Sequence, residues 1–421
     1  MANNVKFRGW TVLVSCCLVM FFIQGGIQAF AVFLPAIIKD TGFTLGEVAL
    51  ISTIATVVAF AANLSFGFLL KKFSAKTILT FGVVVCLANF FIISQAHSLA
   101  ALYMAAACAG LAIGYGTVAP ISVIVNNWFV KNRATYMSVV IAGSMFGGAV
   151  IMPLTGQLIH HFDWRVAYQV LGLVVAVVVF ICLFVFIVDD PAKKGQKAYG
   201  GDEPKGGDAS LAKSDVKNPA DGVDLTTARS SVSFWLLLVG VLLVGCSTNI
   251  ENFLPDFWQR EGMSVPASTA IMGLYAFLTG VASIFLGRVS DKLGGRTYIA
   301  LTTVTFIIGA SLIYLVGAAA SWIVILAIIP FAVGGKKTST LTPPLVVSEA
   351  FGRHSYGAII GYFAGVLQLG IAISNPVIGT LHRVSGGYKV PFMVMGCLNV
   401  LALLLITLAL KKAPTRAKAR A

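Results

Sequence analysis

The sequence predicts an all-α membrane protein of twelve transmembrane helices in two six-helix, pseudo-symmetric bundles. Three observations predict it. Of 421 residues, 58% are hydrophobic and only 11% charged, with a mean hydropathy of +0.90, whereas a soluble globular domain has about 25% charged residues. The apolar residues come in blocks of about 20 or more, the length a helix needs to span hydrocarbon; a β-barrel would show short alternating segments instead. Features of the first half also return at constant spacing in the second: Phe33-Leu34-Pro35 as Phe253-Leu254-Pro255, Gly67 as Gly287, Lys72 as Lys292 and Lys76 as Arg296. Register held through two helices and a loop indicates duplication.

The spans are expected at residues 9–36, 46–70, 78–97, 100–128, 133–158, 164–188, 232–258, 267–289, 297–317, 321–349, 354–381 and 389–412. The opening MANNVKFRGW runs directly into apolar sequence with no small-residue cleavage site, so the first span reads as a membrane helix and not a removed signal peptide. With both termini on one side, that side collects Lys6, Arg8, Lys71, Lys72, Lys76, Lys131, Arg133, Arg288, Lys292, Arg296, Arg353 and the basic residues of the central loop and tail. The other side holds Lys39, Arg165, Arg260, Arg383 and Lys389. This asymmetry places both termini and the central loop in the cytoplasm. The net charge of +14 is therefore read as topology in a cell (cytoplasmic) membrane protein and not as a nucleic-acid signal. The seven cysteines, at 16, 17, 86, 108, 182, 246 and 397, lie in apolar segments without metal-ligand spacing and read as small hydrophobes.

Between Val188 and Arg229 the composition changes to Gly, Lys, Asp, Ala and Pro with few large apolar residues, a flexible-linker composition. The expected organisation is an N-terminal six-helix bundle at 1–188, a cytoplasmic linker at 189–231, a C-terminal bundle at 232–412 and a basic tail at 413–421. Duplicated halves of this kind place a substrate site near mid-membrane at their interface.

The stretch Gly287-Arg288-Val289-Ser290-Asp291-Lys292-Leu293-Gly294-Gly295-Arg296 resembles the G-x-x-x-D-[RK]-x-G-[GRx]-[RK] signature of the major facilitator superfamily. The first-half copy, GFLLKKFSAK, has Lys71 where the acid would stand. The resemblance covers the whole chain and implies that Asp291, Arg288 and Arg296 are cytoplasmic latch residues, bonding across helix ends as the transporter changes state. Loop charge of the ordinary positive-inside kind is the simpler alternative for these residues. A narrower resemblance is carried by Arg8-Gly9-Trp10, by QGGIQAFAVFLPAI, by NNWFVKNRATYMSVVIAGSMFGG and by Asp163-Trp164-Arg165-Val166-Ala167-Tyr168. These are similar to the monocarboxylate transporter and oxalate/formate antiporter group. The known anion-binding residues of that group do not carry over. Ser283 stands where the monocarboxylate transporters have the arginine of span eight, Gln28 where they have the lysine of span one, and span eleven has no basic residue at mid-depth.

Away from the span ends the charged residues are Lys336, Lys337 and Glu251. Charge at membrane depth is costly and marks function by default, and net positive charge in a weakly screened cavity favours an anion. In the superfamily, spans one, four, seven and ten line the cavity. Counting back from Trp128-Phe129 and Ala350-Phe351 aligns Lys336 and Lys337 with Gly114 and Tyr115. Adjacent helical residues point about 100° apart, so both lysines reach one site only if Gly334-Gly335 breaks the helix. The expected substrate-binding residues are Lys337, Lys336, Gln24, Gln28, Tyr115, Asn249 and Tyr362, with Thr117, Asn252 and Gln368 as further polar candidates. Glu251 is the candidate for carrying a coupling proton, with a lysine salt bridge as its alternative role. The GSMFGG glycines read as close-packing positions, and His160 and His161 as loop residues and not metal ligands.

Neither a catalytic constellation nor a nucleotide-binding Gly-Lys-Ser/Thr loop is present, so no enzyme activity, cofactor or direct ATP drive is expected. The sequence reads as a monomeric secondary transporter of a small organic anion, a mono- or dicarboxylate, by alternating access, as proton symport or anion exchange. A sensor that binds without translocating, or an efflux carrier for a non-carboxylate solute, would share these features.

Overall fold

The computed structural model describes residues 7–43, 45–200, 222–263, 265–316, 321–352 and 354–413. Among the described residues, eleven helices are long and apolar enough to cross a membrane. A twelfth crossing is divided between the helices Ser321–Gly334 and Lys336–Phe351. Contacts group the chain into two compact units: Met1–Ala55 with Phe68–Ala220, and Thr56–Gly67 with Asp221–Ala421.

The first unit contains α1 (Gly9–Gln28), α2 (Phe30–Thr41), most of α3 (Leu45–Leu69), α4 (Ala75–Ser94), α5 (Leu99–Gly116), α6 (Val118–Trp128), α7 (Arg133–His161) and α8 (Trp164–Ile181). Side-chain oxygens of Ser74, Ser98 and Asp163 cap α4, α5 and α8 by accepting from the backbone N–H of Thr77, Ala101 and Arg165, satisfying donors that a helix start leaves unpaired. Apolar side chains gain little by leaving lipid for one another, so close packing of small residues holds such helices together. The crossing of α1 and α7 shows this: a Cβ on Gly147 would lie 2.1 Å from the Phe21 carbonyl oxygen, and one on Gly143 2.6 Å from that of Cys17. The GSMFGG glycines are packing positions. A π turn at Cys182–Phe186 ends the sixth crossing.

The two ends of the 189–231 linker stretch have defined positions, and 201–221 lie outside the described residues. Residues 187–200 are fastened to the basic end of the first unit, the end that carries Arg8, Lys71 and Lys131. The Asp189 carboxylate accepts from the Lys76 backbone N–H at 2.5 Å, and the Ile187 carbonyl from Lys76 Nζ at 2.8 Å. Trp128 Nε1 donates to the Val188 carbonyl and Asn127 Nδ2 to that of Asp189. Pro191–Lys194 forms a 3-10 turn, and Tyr199 pairs with Phe129 in a short parallel bridge. Arg8 N–H donates to Gln196. Phe7, Trp10, Phe129, Tyr136 and Tyr199 pack ring against ring over this bridge. A free linker is what the composition suggests. The difference arises because a few well-placed groups, Asp189, Gln196 and Tyr199, find partners that composition does not count.

The second unit contains α9 (Leu225–Ser230), α10 (Val232–Ser247), α11 (Leu254–Arg260), α12 (Val265–Leu293), α13 (Gly295–Val316), α14 (Ser321–Gly334), α15 (Lys336–Phe351), α16 (Tyr356–Ser385) and α17 (Lys389–Lys411). Residues 56–67 of α3 belong here, since Gly67 and Gly361 let α3 and α16 touch backbone to backbone. The crossing of α10 and α16 repeats the glycine device: Cβ atoms on Gly245 and Gly370 would lie 2.6 and 2.5 Å from the carbonyl oxygens of Leu367 and Leu242. Ile250, Leu254, Phe257, Trp258, Phe306, Phe331 and Phe392 form its apolar core. Gly294, at φ +83°, makes the tight turn from α12 to α13.

Both units interrupt their first and fourth crossings. In the first crossing of unit one a single residue, Ala29, still at helical φ −61° and ψ −18°, stands between α1 and α2; in unit two a longer 3-10 stretch, Thr248–Phe253, separates α10 from α11. The fourth crossing breaks at Thr117, with ψ −127°, and at Gly335, with ψ −126°. Broken helices are tolerated at membrane depth where they line a cavity or are buried in protein.

Candidate functional site

The break at Gly335 has a local cause. Gly334 lies so close to α13 that a Cβ would stand 2.2 Å from Phe306 N and 2.4 Å from the Thr302 carbonyl oxygen. The equivalent contact in unit one is Gly82 against Gly116. These glycines drive two helices together, and the chain then re-enters helix one residue later. The new helix, α15, begins with Lys336 and Lys337 after Gly335, a residue with no side chain to cap it. The break expected at Gly334-Gly335 is thus present. It divides the crossing into a 14-residue and a 16-residue helix, near its middle. The side chains of Lys336 and Lys337 lie outside the described residues; the backbone places both in the first turn of α15. A helix start carries roughly half a positive charge and unpaired N–H groups.

The break also revises the repeat alignment. Matching Gly335 to Thr117 sets Lys336 and Lys337 opposite Val118 and Ala119, and not opposite Gly114 and Tyr115. Counting from the basic end slipped because α15 has 16 residues where α6 has 11.

Facing the break is a buried polar set. Glu251, in the 3-10 stretch, is 3% exposed and its carboxylate accepts from the Tyr275 hydroxyl of α12, itself 4% exposed. The same hydroxyl lies against the backbone of the break, 2.6 Å from where a Cβ on Gly335 would be. The break also borders a cavity of about 10 Å³ lined by Val244, Ser247, Thr248, Phe306, Gly334, Gly335 and Asn399, which is room for about one water molecule. The Ser247 and Thr248 hydroxyls both donate to the Val244 carbonyl, and Asn399 Nδ2 to that of Met395.

The other expected residues are dispersed or occupied. Asn249 Nδ2 donates to the Ile371 carbonyl at 3.1 Å, and the Asn249 N–H to Ser374. It ties the 3-10 stretch to α16, because 3-10 geometry leaves α10 short of its own carbonyl partners. Tyr362 lies toward the basic start of α16, with the Arg229 guanidinium 5.8 Å from its ring and Phe234 beside it. Its place six residues into α16 puts it near the helix end, not at mid-depth. Gln24 and Gln28 are half-buried near the end of α1, and Gln28 Oε1 packs against Gly148 of α7. Tyr115 is buried beside Phe81, immediately before the break of α5, and the Thr117 hydroxyl donates back to Ile113. Ser283 is fully buried and bonded within α12 to Gly280. The side chains of Asn252 and His160 lie outside the described residues. Among the described residues, no group of three or more His, Cys, Asp or Glu could hold a metal.

At the basic end of unit two, Arg288 is exposed over the Phe285 ring, and Asp291 and Arg296 are half-buried on either side of Gly294. Glu349, near the end of α15, accepts from Gly295 N–H at 2.9 Å and so caps α13. Sequence reasoning missed Glu349, Tyr275 and Asp189. Glu349 had a signal, an acid closing an apolar span; Tyr275 was one aromatic among many.

The sequence matches the Major Facilitator Superfamily over residues 16–336 and 262–421. The protein belongs to this superfamily. It is a membrane-spanning transporter and not an enzyme. It is 24% identical over 412 residues to the oxalate:formate antiporter of Oxalobacter formigenes, covering 96% of this chain and 92% of that one. It is also 24% identical over 312 residues to the MFS-type transporter pynF of Aspergillus niger, covering 72% of this chain and 66% of that protein's length. The proton:xylose symporter XylE superposes with a TM-score of 0.74 at 12% identity, covering 96% of each chain. That likeness shows the major facilitator fold.

Proposed function

We propose that this transporter carries a small organic anion, a mono- or dicarboxylate, by alternating access in the cell membrane, with the basic ends of both units in the cytoplasm. One observation carries the reading: the tenth crossing breaks near its middle so that α15 starts there with Lys336 and Lys337. Open backbone N–H groups at a helix start, aligned peptide dipoles and two ammonium groups together make an anion site. The repeat-related start of α6 has Val118 and Ala119 instead, so the charge belongs to a site and not to the fold. A carboxylate held there is released when the units exchange exposure. The similarity to an oxalate:formate antiporter supports the same substrate class.

Counterflow in proteoliposomes tests it. Vesicles loaded with formate, oxalate or lactate are expected to take up the labelled anion transiently. Lys336→Ala with Lys337→Ala is expected to cut the rate at least about tenfold, the loss of one charge-assisted contact. Thermal stabilisation by these anions without any uptake would favour a sensor. Unchanged uptake by the double variant would remove the anion site from α15.

A further inference from the structure

The substrate site proposed above leaves Tyr275 without a role, although it is the residue that joins the two broken crossings of unit two. Its hydroxyl donates to the Glu251 carboxylate, on the 3-10 stretch of the seventh crossing, and the same oxygen rests on Gly335, at the break of the tenth. Both residues are almost wholly buried. The approach depends on glycine: any side chain at 335 would occupy the hydroxyl's place. The ring is held from behind by Phe331 of α14, with centroids 5.6 Å apart. A change in the path of the chain at Gly335 therefore moves the donor that Glu251 is using. Conversely, a change in the charge of Glu251 alters what holds Tyr275 against the break.

We infer that Tyr275 is a positioning residue that couples the protonation of Glu251 to anion occupancy at the start of α15. The inference rests on the proposed anion site. A substrate carboxylate and the Glu251 carboxylate compete for one positive field, that of the α15 start and its two lysines. With no anion bound, ionised Glu251 is held by Tyr275 beside that field. When the anion binds, a proton from water on the entry side joins a Glu251 carboxylate oxygen. It returns to water on the exit side as the anion leaves, so one proton and one anion cross together. The charged and titratable groups around the 3-10 stretch are few. Tyr275 comes from α12, Lys336 and Lys337 from α15, and Asp256 and Arg260 from α11. Tyr388 and Lys389 stand at the start of α17, and His382 and Arg383 near the far end of α16. α10 brings no Asp, Glu, Lys, Arg or His, and α13 carries Arg296 and Tyr298 toward its basic end and Tyr314 beside Phe257 and Phe392.

The test separates exchange from net, proton-driven uptake in proteoliposomes of the full chain, using whichever of formate, oxalate and lactate gives counterflow. In the unsubstituted protein, an acid exterior is expected to drive accumulation, with matching acidification inside. Tyr275→Phe keeps the ring and removes only the hydroxyl. It is expected to slow gradient-driven accumulation about tenfold more than it slows exchange, since a hydrogen bond to a charged group contributes roughly 1.5–3 kcal/mol. Glu251→Gln is expected to abolish the response to the pH gradient. Equal effects of Tyr275→Phe on both rates, or a gradient response that survives Glu251→Gln, would overturn the inference while leaving anion transport standing. An infrared pH titration of the purified protein reads the carboxyl directly and needs no transport. A protonated carboxyl band should be lost in Glu251→Gln and shifted in Tyr275→Phe; its absence from the unsubstituted protein across the titration would overturn the inference. Absence of counterflow with every probe would instead count against the transport reading.

Discussion

The two units share a plan and differ in how they use it. Each interrupts its first and fourth crossings, each brings crossings one and five together on glycines, and each caps the start of its third crossing with a carboxylate. The contents differ. After the fourth-crossing break, unit one continues Val118-Ala119-Pro120, whereas unit two continues Lys336-Lys337. Unit one caps α4 with Asp189, from the segment that follows its last crossing; unit two caps α13 with Glu349, from α15 itself. Duplication fixed the backbone devices, which depend on small residues and open donors. On the proposed reading, the anion-binding chemistry lies in one copy only.

The comparison can be broken at several points. The largest effect is expected from making unit two resemble unit one: Lys336→Val with Lys337→Ala should leave a folded protein with carboxylate counterflow reduced at least about tenfold. Persistence of counterflow would show that the asymmetry of the copies is not the asymmetry of the site. Next is the pair Gly334→Ala and Gly116→Ala. A Cβ would meet backbone at 2.2 Å in the first case and 3.3 Å in the second. The former should lose about 1–3 kcal/mol to overpacking and the latter much less, read as melting temperature in detergent. Equal losses would mean that the two breaks are packed equally tightly. Asp189→Ala and Glu349→Ala should each lower stability by about 0.5–2 kcal/mol, as loss of a cap does. For Asp189→Ala, limited proteolysis at residues 187–200 should also accelerate, and for Glu349→Ala it should not.

The smallest effect concerns the opposite end of unit one. There the Arg165 guanidinium, bonded to Asp40 at 2.5 Å and to the Ala96 carbonyl at 3.3 Å, holds the Asp40 carboxyl below the usual carboxylate range. A carboxylate whose pKa is lowered by folding stabilises above its unfolded value, about 3.9, and that stabilisation is lost as pH falls through the folded value. The difference in melting temperature between the unsubstituted protein and Asp40→Asn should therefore shrink from pH 6 to pH 3. The pair is partly exposed, so the difference should be small and weaken with salt.

Much of the fold was legible because the bilayer reduces it to counting: apolar blocks, basic loops and a repeat. The break in the tenth crossing was legible too, since Gly334-Gly335 before two lysines leaves few other solutions. Depth and direction were not. Tyr362 and Gln28 are polar residues in apolar helices, and sequence alone does not say that one meets Arg229 near a helix end while the other packs on Gly148. Asn249 carried a signal for interhelical bonding equal to that for ligand binding, and the local 3-10 geometry decided it. The alignment of the lysines with Gly114 and Tyr115 failed because the halves differ in the length of the helix after the break. Tyr275 could not be read at all. Its significance lies in what two backbone breaks bring to it.

The docking of residues 187–200 onto unit one, and of Val223 onto the Phe351 carbonyl in unit two, has a practical consequence for engineering. A protease site, an inserted tag or a division into two co-expressed genes is poorly placed in either docked segment. A cut ahead of Asp189 would part α4 from the carboxylate that caps it, and one between Asp189 and Gln196 would part Gln196 and Tyr199 from their partners.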